Sequence, residues 1–154
     1  MTIHRRLFEG VFDHAGKIRT YNITKKEWVL KGDTVIYASW NSIKDTLDYD
    51  FRTEKEFSYE GLSLNESIKH LVKFASDIWQ IHPFADGNGR VGRLIMFKEC
   101  LKYNIVPFII EDNLKMFYYR GLKEWDNEKG YLTDTCLTAQ DKYKAYLDYF
   151  RIGY

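Results

Sequence analysis

The chain has 154 residues, a formal net charge of +1, 45% hydrophobic and 29% charged residues, and an aromatic share of 17% that includes twelve tyrosines. That length suits a single domain, 1–154, with a core that needs no disulfides, and the near-neutral charge makes no electrostatic case for nucleic acid or an anionic membrane as partner. No signal peptide and no apolar run of about 18 residues is present, so the expectation is a cytoplasmic protein, or one delivered from the cytoplasm into another cell.

In chain order, Ile3, Leu7, Val11 and Phe12 fall on one helical face, which predicts a helix over 2–14 closed by Ala15-Gly16. His14 reads as a packing residue. Residues 27–30 and 34–37 are two β-prone runs around Lys31-Gly32-Asp33, hence a hairpin that must lean on a helical body to be stable. Ser39 or Asn41 can open the next helix, with Ile43 and Leu47 inward, and the polar stretch 50–61 reads as a connection. Ser63-Leu-Asn-Glu66 is a capping box. It opens a helix carrying Ile68, Leu71, Val72, Ala75, Ile78 and Trp79, which Pro83 stops near Ile81. Leu94 to about Tyr103 continues as a buried helix, and 104–110 around Pro107 is a connection. Leu114, Phe117, Tyr118, Leu122 and Trp125 mark another helix. A last one runs over 133–150 with Tyr143, Tyr146, Leu147 and Phe150 inward. Cys100 and Cys136 lie in helical stretches in no ligand pattern and read as reduced core thiols. The fold class is all-α with one small β-hairpin.

Between two of these helices lies His82-Pro-Phe-Ala-Asp-Gly-Asn-Gly-Arg-Val-Gly-Arg93. Glycines let main-chain N–H groups turn inward, and a helix start adds unpaired donors and the positive end of its dipole. Arg90 and Arg93, at i and i+3, can grip neighbouring phosphates, and the stretch as a whole suits a polyphosphate. His82 is the candidate base, because an imidazole titrates near neutral pH. Phe84 is an anchor for the loop. Asp86 is the Mg²⁺ candidate, with an Asx turn at Asp-Gly as the duller alternative. Gly87 and Gly89 allow an amide nest, and the Asn88 amide can face a phosphate oxygen. Gly87-x-Gly-x-x-Gly92 also matches the dinucleotide pattern, but a helix rather than a strand precedes it. A Walker loop is excluded because no Gly-Lys-Ser/Thr follows.

The twelve residues resemble the signature of the Fic family, His-Pro-Phe-x-Asp/Glu-Gly-Asn-Gly-Arg-x-x-Arg, at every defining position. The order helix, hairpin, helices, motif loop and trailing helices is similar too, at least over 3–103. The family usually has Trp before Ala-Gly, where this chain has His14. The resemblance implies an enzyme that transfers AMP from ATP-Mg to a Ser, Thr or Tyr hydroxyl of a target protein and releases pyrophosphate. It implies His82 as the base, Asp86 as metal ligand, and a nucleotide site formed by Asp86, Gly87, Asn88, Gly89, Arg90, Val91, Gly92 and Arg93. The hairpin over 27–37 becomes a flap to whose edge the target adds by main-chain hydrogen bonds. Lys31, Gly32, Asp33 and Thr34 at its tip touch the nucleotide. Tyr118 and Tyr119 fall where adenine is met, and aromatics there can stack on the base.

Doc-type relatives carry Lys at position 89 and transfer the γ-phosphate, so Gly89 favours AMP. The alternatives are a Fic enzyme with another transfer (phosphate, another nucleotide, AMP removal) or an idle nucleotide-binding module held off by a partner. Many Fic proteins carry an inhibitory Ser/Thr-x-x-x-Glu-Gly/Asn. Glu9-Gly10 and Glu60-Gly61 have its ending, but Arg5 and Glu56 occupy its Ser/Thr position. The brake is therefore expected in an antitoxin-like partner, or in an N-terminal portion that this chain lacks.

Overall fold

A computed structural model describes residues 1–27 and 30–154. Its central post is the helix Leu64–Ile81, the third helix in the element order α1 (Thr2–Phe8), β1 (Thr24–Glu27), β2 (Asp33–Ile36), α2 (Ile43–Glu56), α3 (Leu64–Ile81), α4 (Asn88–Lys102), α5 (Lys115–Lys123) and α6 (Lys129–Tyr149). Helix α3 begins at the expected capping box: the Ser63 hydroxyl accepts from Glu66 N–H at 3.3 Å, and the Glu66 carboxylate accepts from Ser63 N–H at 2.8 Å. Its apolar stripe is sealed on several sides, with Ile68, Leu71 and Val72 fully buried. Each such side chain contributes about 1.5–3 kcal/mol of burial. Helices α2, α4 and α6 pack against it, and α5 packs on α6. Cys100 and Cys136 are free and buried in this core, where burial pushes the Cys100 thiol up to about 12.

Two apolar clusters result. The larger joins α3, α5 and α6 and takes in Val35 and Tyr37 from the hairpin side. The smaller lies under the loop between α3 and α4 and consists of Phe8, Phe74, Ile78, Phe84, Val91 and Ile95. Phe84 is the anchor expected of it, 4% exposed. The functional loop is therefore seated on its own core.

Several boundaries differ from the sequence reading. Helix α1 ends at Phe8 rather than 14, because the chain turns through Gly10 at φ +80°. His4 and Phe8 face inward, while Leu7 and Val11 lie exposed. His14 is a packing residue as expected, stacked on Phe12 at 4.8 Å. The hairpin pairs Thr24↔Ile36 through Glu27↔Asp33, so the first strand lies at 24–27 instead of 27–30, and residues 28 and 29 fall outside the described residues. Main-chain pairing to β2 selects Thr-Lys-Lys-Glu there, against its weak strand propensity.

The segment expected as a connection from 50 is helical to Glu56, because α2 finds partners on α3. Phe51 meets Phe74 edge-on at 5.4 Å, and Glu54 bonds His70 at 2.6 Å. Helix α6 starts at Lys129, and its buried face is Leu132, Cys136, Ala139 and Gln140. Tyr146 and Phe150, expected inward, are exposed because α6 outruns the core at its C-terminal end. No helix among the described residues is long and apolar enough to cross a membrane.

Helices α5 and α6 touch through Gly121, where a Cβ would lie 2.7 Å from the main chain of Leu132. Alanine is the better helix former by about 1 kcal/mol, yet here it forces the helices apart. We expect Gly121→Ala to lower stability by about 1–3 kcal/mol, seen as a reduced urea midpoint at unchanged slope. A midpoint at or above wild type would show that the two helices separate freely.

Candidate active site

The site is built around the reversal between α3 and α4. His82 caps α3 in the left-handed conformation, φ 48° and ψ 61°, and Gly87 precedes α4 at φ +79°. For a histidine that backbone costs about 1–3 kcal/mol and persists only where the surroundings impose it. At Gly87 no other residue fits, because a Cβ would lie 2.5 Å from the Phe8 ring.

Asn88 closes the turn from inside. Its Oδ1 accepts from Phe84 N–H at 2.8 Å and its Nδ2 donates to the Phe84 carbonyl at 2.7 Å. The carboxamide is thus committed to the loop, and what Asn88 can offer an anion is its main-chain N–H rather than the side-chain amide expected. Asp86 folds its Oδ1 onto the adjacent Gly87 N–H at 2.6 Å, one residue short of the contact that would make the Asx turn of the duller reading. Its side chain stays open to solvent, with Oδ2 3.8 Å from Arg90. The first intrahelical bond of α4 is Val91 N–H to the Gly87 carbonyl, 3.0 Å, so the N–H groups of Asn88, Gly89 and Arg90 head the helix without an intrahelical partner. Val91 itself is withdrawn from any ligand, its side chain in the smaller core cluster and its N–H bonded.

The arginines bracket this helix start. Arg90 lies over the Phe8 ring at 4.6 Å, and a Cβ at Gly89 would lie 3.1 Å from the Tyr119 hydroxyl and 3.2 Å from Arg93 Nη1. Gly92 has open space beside it. Of the two tyrosines expected at the base, only Tyr119 reaches the loop. Tyr118 is 4% exposed in the larger core, because the phase of α5 turns residues 118 and 122 inward, and it has no face left for stacking. At the hairpin tip Lys31 (φ +58°), Gly32, Asp33 and Thr34 are exposed. The Asp33 carboxylate accepts from Lys123 of α5 at 2.6 Å, which ties the tip to the helical body.

His82 is 7% exposed, and its ring stacks on that of Tyr37 at 3.7 Å. Burial pushes its pKa down to about 4, opposed by the Trp79 carbonyl and assisted by the positive charges of Lys25 and Arg19. Nδ1 is sealed without a partner in hydrogen-bonding geometry. The imidazole is therefore neutral at pH 7 and can accept a proton.

Two residues that sequence reasoning passed over hold the loop. His4 of α1 is fully buried, accepts from Gly16 N–H at 2.8 Å through Nδ1, and donates from Nε2 to the Asp86 carbonyl at 3.1 Å. It stacks on Phe84 at 3.9 Å. Arg19 lies 3% exposed below His82 with its hydrogen bonds directed at main-chain carbonyls. A polar residue in an otherwise apolar helix face was the available signal for His4; for Arg19 it was the place of the residue in Ala15-Gly-Lys-Ile-Arg-Thr20, within the stretch that resembles the family.

A conserved-family model, the Fic/DOC family, matches residues 1–100. The chain belongs to the Fic/DOC family. It is 28% identical over 127 residues to a protein adenylyltransferase Fic of Nematostella vectensis, a match covering 79% of this chain and 26% of that protein. It is also 28% identical over 93 residues to a probable protein adenylyltransferase Fic of Escherichia coli K12, covering 60% and 44%. The chain thus spans less than half the length of these curated relatives. The N-terminal Fic domain of a VirB-translocated effector from Bartonella quintana, solved with bound ADP, superposes with a TM-score of 0.69 at 24% identity, over 90% of this chain and 69% of that one, and establishes the shared fold.

Because the folded protein prefers the neutral His82 ring, its stability is complete above about pH 6.5, the model-peptide value, and falls as pH drops through the folded value near 4. The loss assigned to this residue is at most roughly 3 kcal/mol. Denaturant titrations at pH 7 and pH 4.5 should show a smaller pH dependence in His82→Asn than in wild type; equal dependence in both would refute a buried neutral ring.

Proposed function

We propose that this Fic-family chain is a protein adenylyltransferase that moves AMP from ATP onto a Ser, Thr or Tyr hydroxyl of a target protein. The observation that carries the reading is a neutral, buried imidazole at His82 set immediately before a helix start with unpaired N–H groups and two arginines. The adenylyltransferase names of its relatives support the same chemistry.

In this reading the N–H groups of Asn88, Gly89 and Arg90 and the guanidinium groups of Arg90 and Arg93 hold the triphosphate. Tyr119 borders it from α5. No cluster of three or more His, Cys, Asp or Glu among the described residues could hold a metal alone. The solvent-open Asp86 carboxylate instead fits Mg²⁺, which needs only one or two carboxylates beside phosphate oxygens and water. Magnesium bound there neutralises phosphate charge. His82 takes the proton of the target hydroxyl, whose oxygen bonds to the α-phosphorus as the bond to the pyrophosphate oxygen breaks. Positioning and charge stabilisation supply most of the acceleration.

The target segment lies along β2, which among the described residues pairs with β1 on one side only. Beside its other edge runs a groove lined by Thr34, Ile36, Ala38, Trp79, Gln80 and Lys123, suited to an added strand. Lys31, Gly32, Asp33 and Thr34 border the nucleotide from the tip. Gly89 favours transfer of AMP over phosphate, by resemblance to the family.

His82→Ala is expected to reduce transfer by at least about 100-fold while ATP still binds. Arg93→Ala is expected to weaken ATP binding in calorimetry. Mass spectrometry of a modified protein, the chain's own tyrosines included, separates added AMP from added phosphate. Full activity in His82→Ala refutes the base, and addition of phosphate refutes the reaction.

A further inference from the structure

We propose that Arg19 is the positioning residue for His82, holding both the main chain of that histidine and the platform under its ring through one buried guanidinium. The four contacts come from three separate segments. Nε donates to the His82 carbonyl at 2.8 Å, and Nη2 donates to the Ile81 carbonyl at 3.1 Å, so the fork closes on the last carbonyls of α3. That is the negative end of a helix dipole, where a cation is favoured. Nη2 also donates to the Ala38 carbonyl at 2.5 Å, and Nη1 to the Tyr21 carbonyl at 2.6 Å. Ala38 directly follows Tyr37, whose ring lies against the His82 ring. The main chain of Arg19 completes the clasp by donating to the Pro83 carbonyl at 2.9 Å.

His82 stands in a backbone conformation a histidine adopts only under constraint. Arg19 supplies that constraint at the residue itself and at both of its neighbours. A planar guanidinium with donors on three nitrogens can meet carbonyls in several directions at once; an ammonium on a flexible stem cannot hold the same set. Arg19 also ties the segments before β1 and after β2 to the end of α3, so the ring, its platform and the root of the hairpin share one support. No substrate atom is touched. Arg19 acts through His82, and the consequence for turnover rests on the adenylyltransferase reading.

The charged groups around the ring are Arg19 itself, Lys25 of β1 and Asp86 of the loop. Arg19→Lys keeps the charge and loses the fork, so a change in this variant reports on placement rather than on charge. Its His82 ring, followed by NMR through a pH titration, is expected to move from about 4 toward the ordinary 6.5 as Tyr37 and the ring part. Turnover should fall on the order of 100-fold, as for an ångström of misplacement, with the affinity for ATP unchanged. Arg19→Gln should show the same loss. A folded Arg19→Lys with His82 still titrating near 4 and full turnover overturns the proposal.

Two arms keep the test separable. In wild type the Arg19 Nε–H should exchange with solvent only through global unfolding, and exchange at the free rate overturns the clasp even if no variant folds. If wild type transfers no AMP, the enzymatic reading falls, while the NMR titration still decides whether Arg19 places the ring.

Discussion

Residues 82–87 must reverse the chain between two long helices and at the same time leave a row of main-chain donors pointing outward. Almost every other feature of the protein answers that demand. The two left-handed positions, His82 and Gly87, make the reversal, and neither is stable by itself. Asn88 spends its whole carboxamide on Phe84 to hold the turn. Phe84 in turn is pressed between His4 and the small core cluster. The loop is rigid because it carries its own hydrophobic floor and its own internal hydrogen bonds.

Charge is divided across this loop by depth. Below it the polar groups are sealed and serve geometry: a guanidinium among carbonyl oxygens at Arg19, and neutral imidazoles at His4 and His82, both pulled down from the usual histidine range by burial. Above it Asp86 and Arg90 are more than half exposed at their side chains, paired only loosely at 3.8 Å. A buried polar group costs free energy unless it is hydrogen-bonded, and in the lower layer His4 bonds through both ring nitrogens and Arg19 through all three guanidinium nitrogens. The upper layer is left with unspent capacity for an anion. The orphan Nδ1 of His82 sits at the border between the two.

The hairpin shows how a weak element is made to stay. Four residue pairs alone are marginal in water. Three attachments hold them: Val35 and Tyr37 in the larger core, Asp33 to Lys123 at the tip, and Arg19 with the Ala38 N–H to Gln80 bond at the root. One of these, the Lys123 pair, is exposed and worth little by itself. The root carries the alignment, and it does so beside the ring of His82.

Local chemistry made much of this legible in the chain. The capping box at Ser63, the stripe from Ile68 to Trp79, the stop before Pro83 and the glycine loop opening a helix all depend on neighbours within one or two turns, and all stand in the structure. Where the reading missed, contacts distant in sequence decided. Thr24–Glu27 became a strand through pairing, residues 51–56 stayed helical through Phe74 and His70, and Tyr118 turned into the core while Tyr119 met the loop. The Asn88 carboxamide, expected to face a phosphate oxygen, braces the turn on Phe84 instead. The amino-acid order by itself determined the family signature, the helical character and the place of the candidate base. Only the tertiary structure decided that His82 is buried between Tyr37 and Arg19, because the ring stack and the carbonyl clasp of Arg19, 63 residues away along the chain, exist only once the helices have closed.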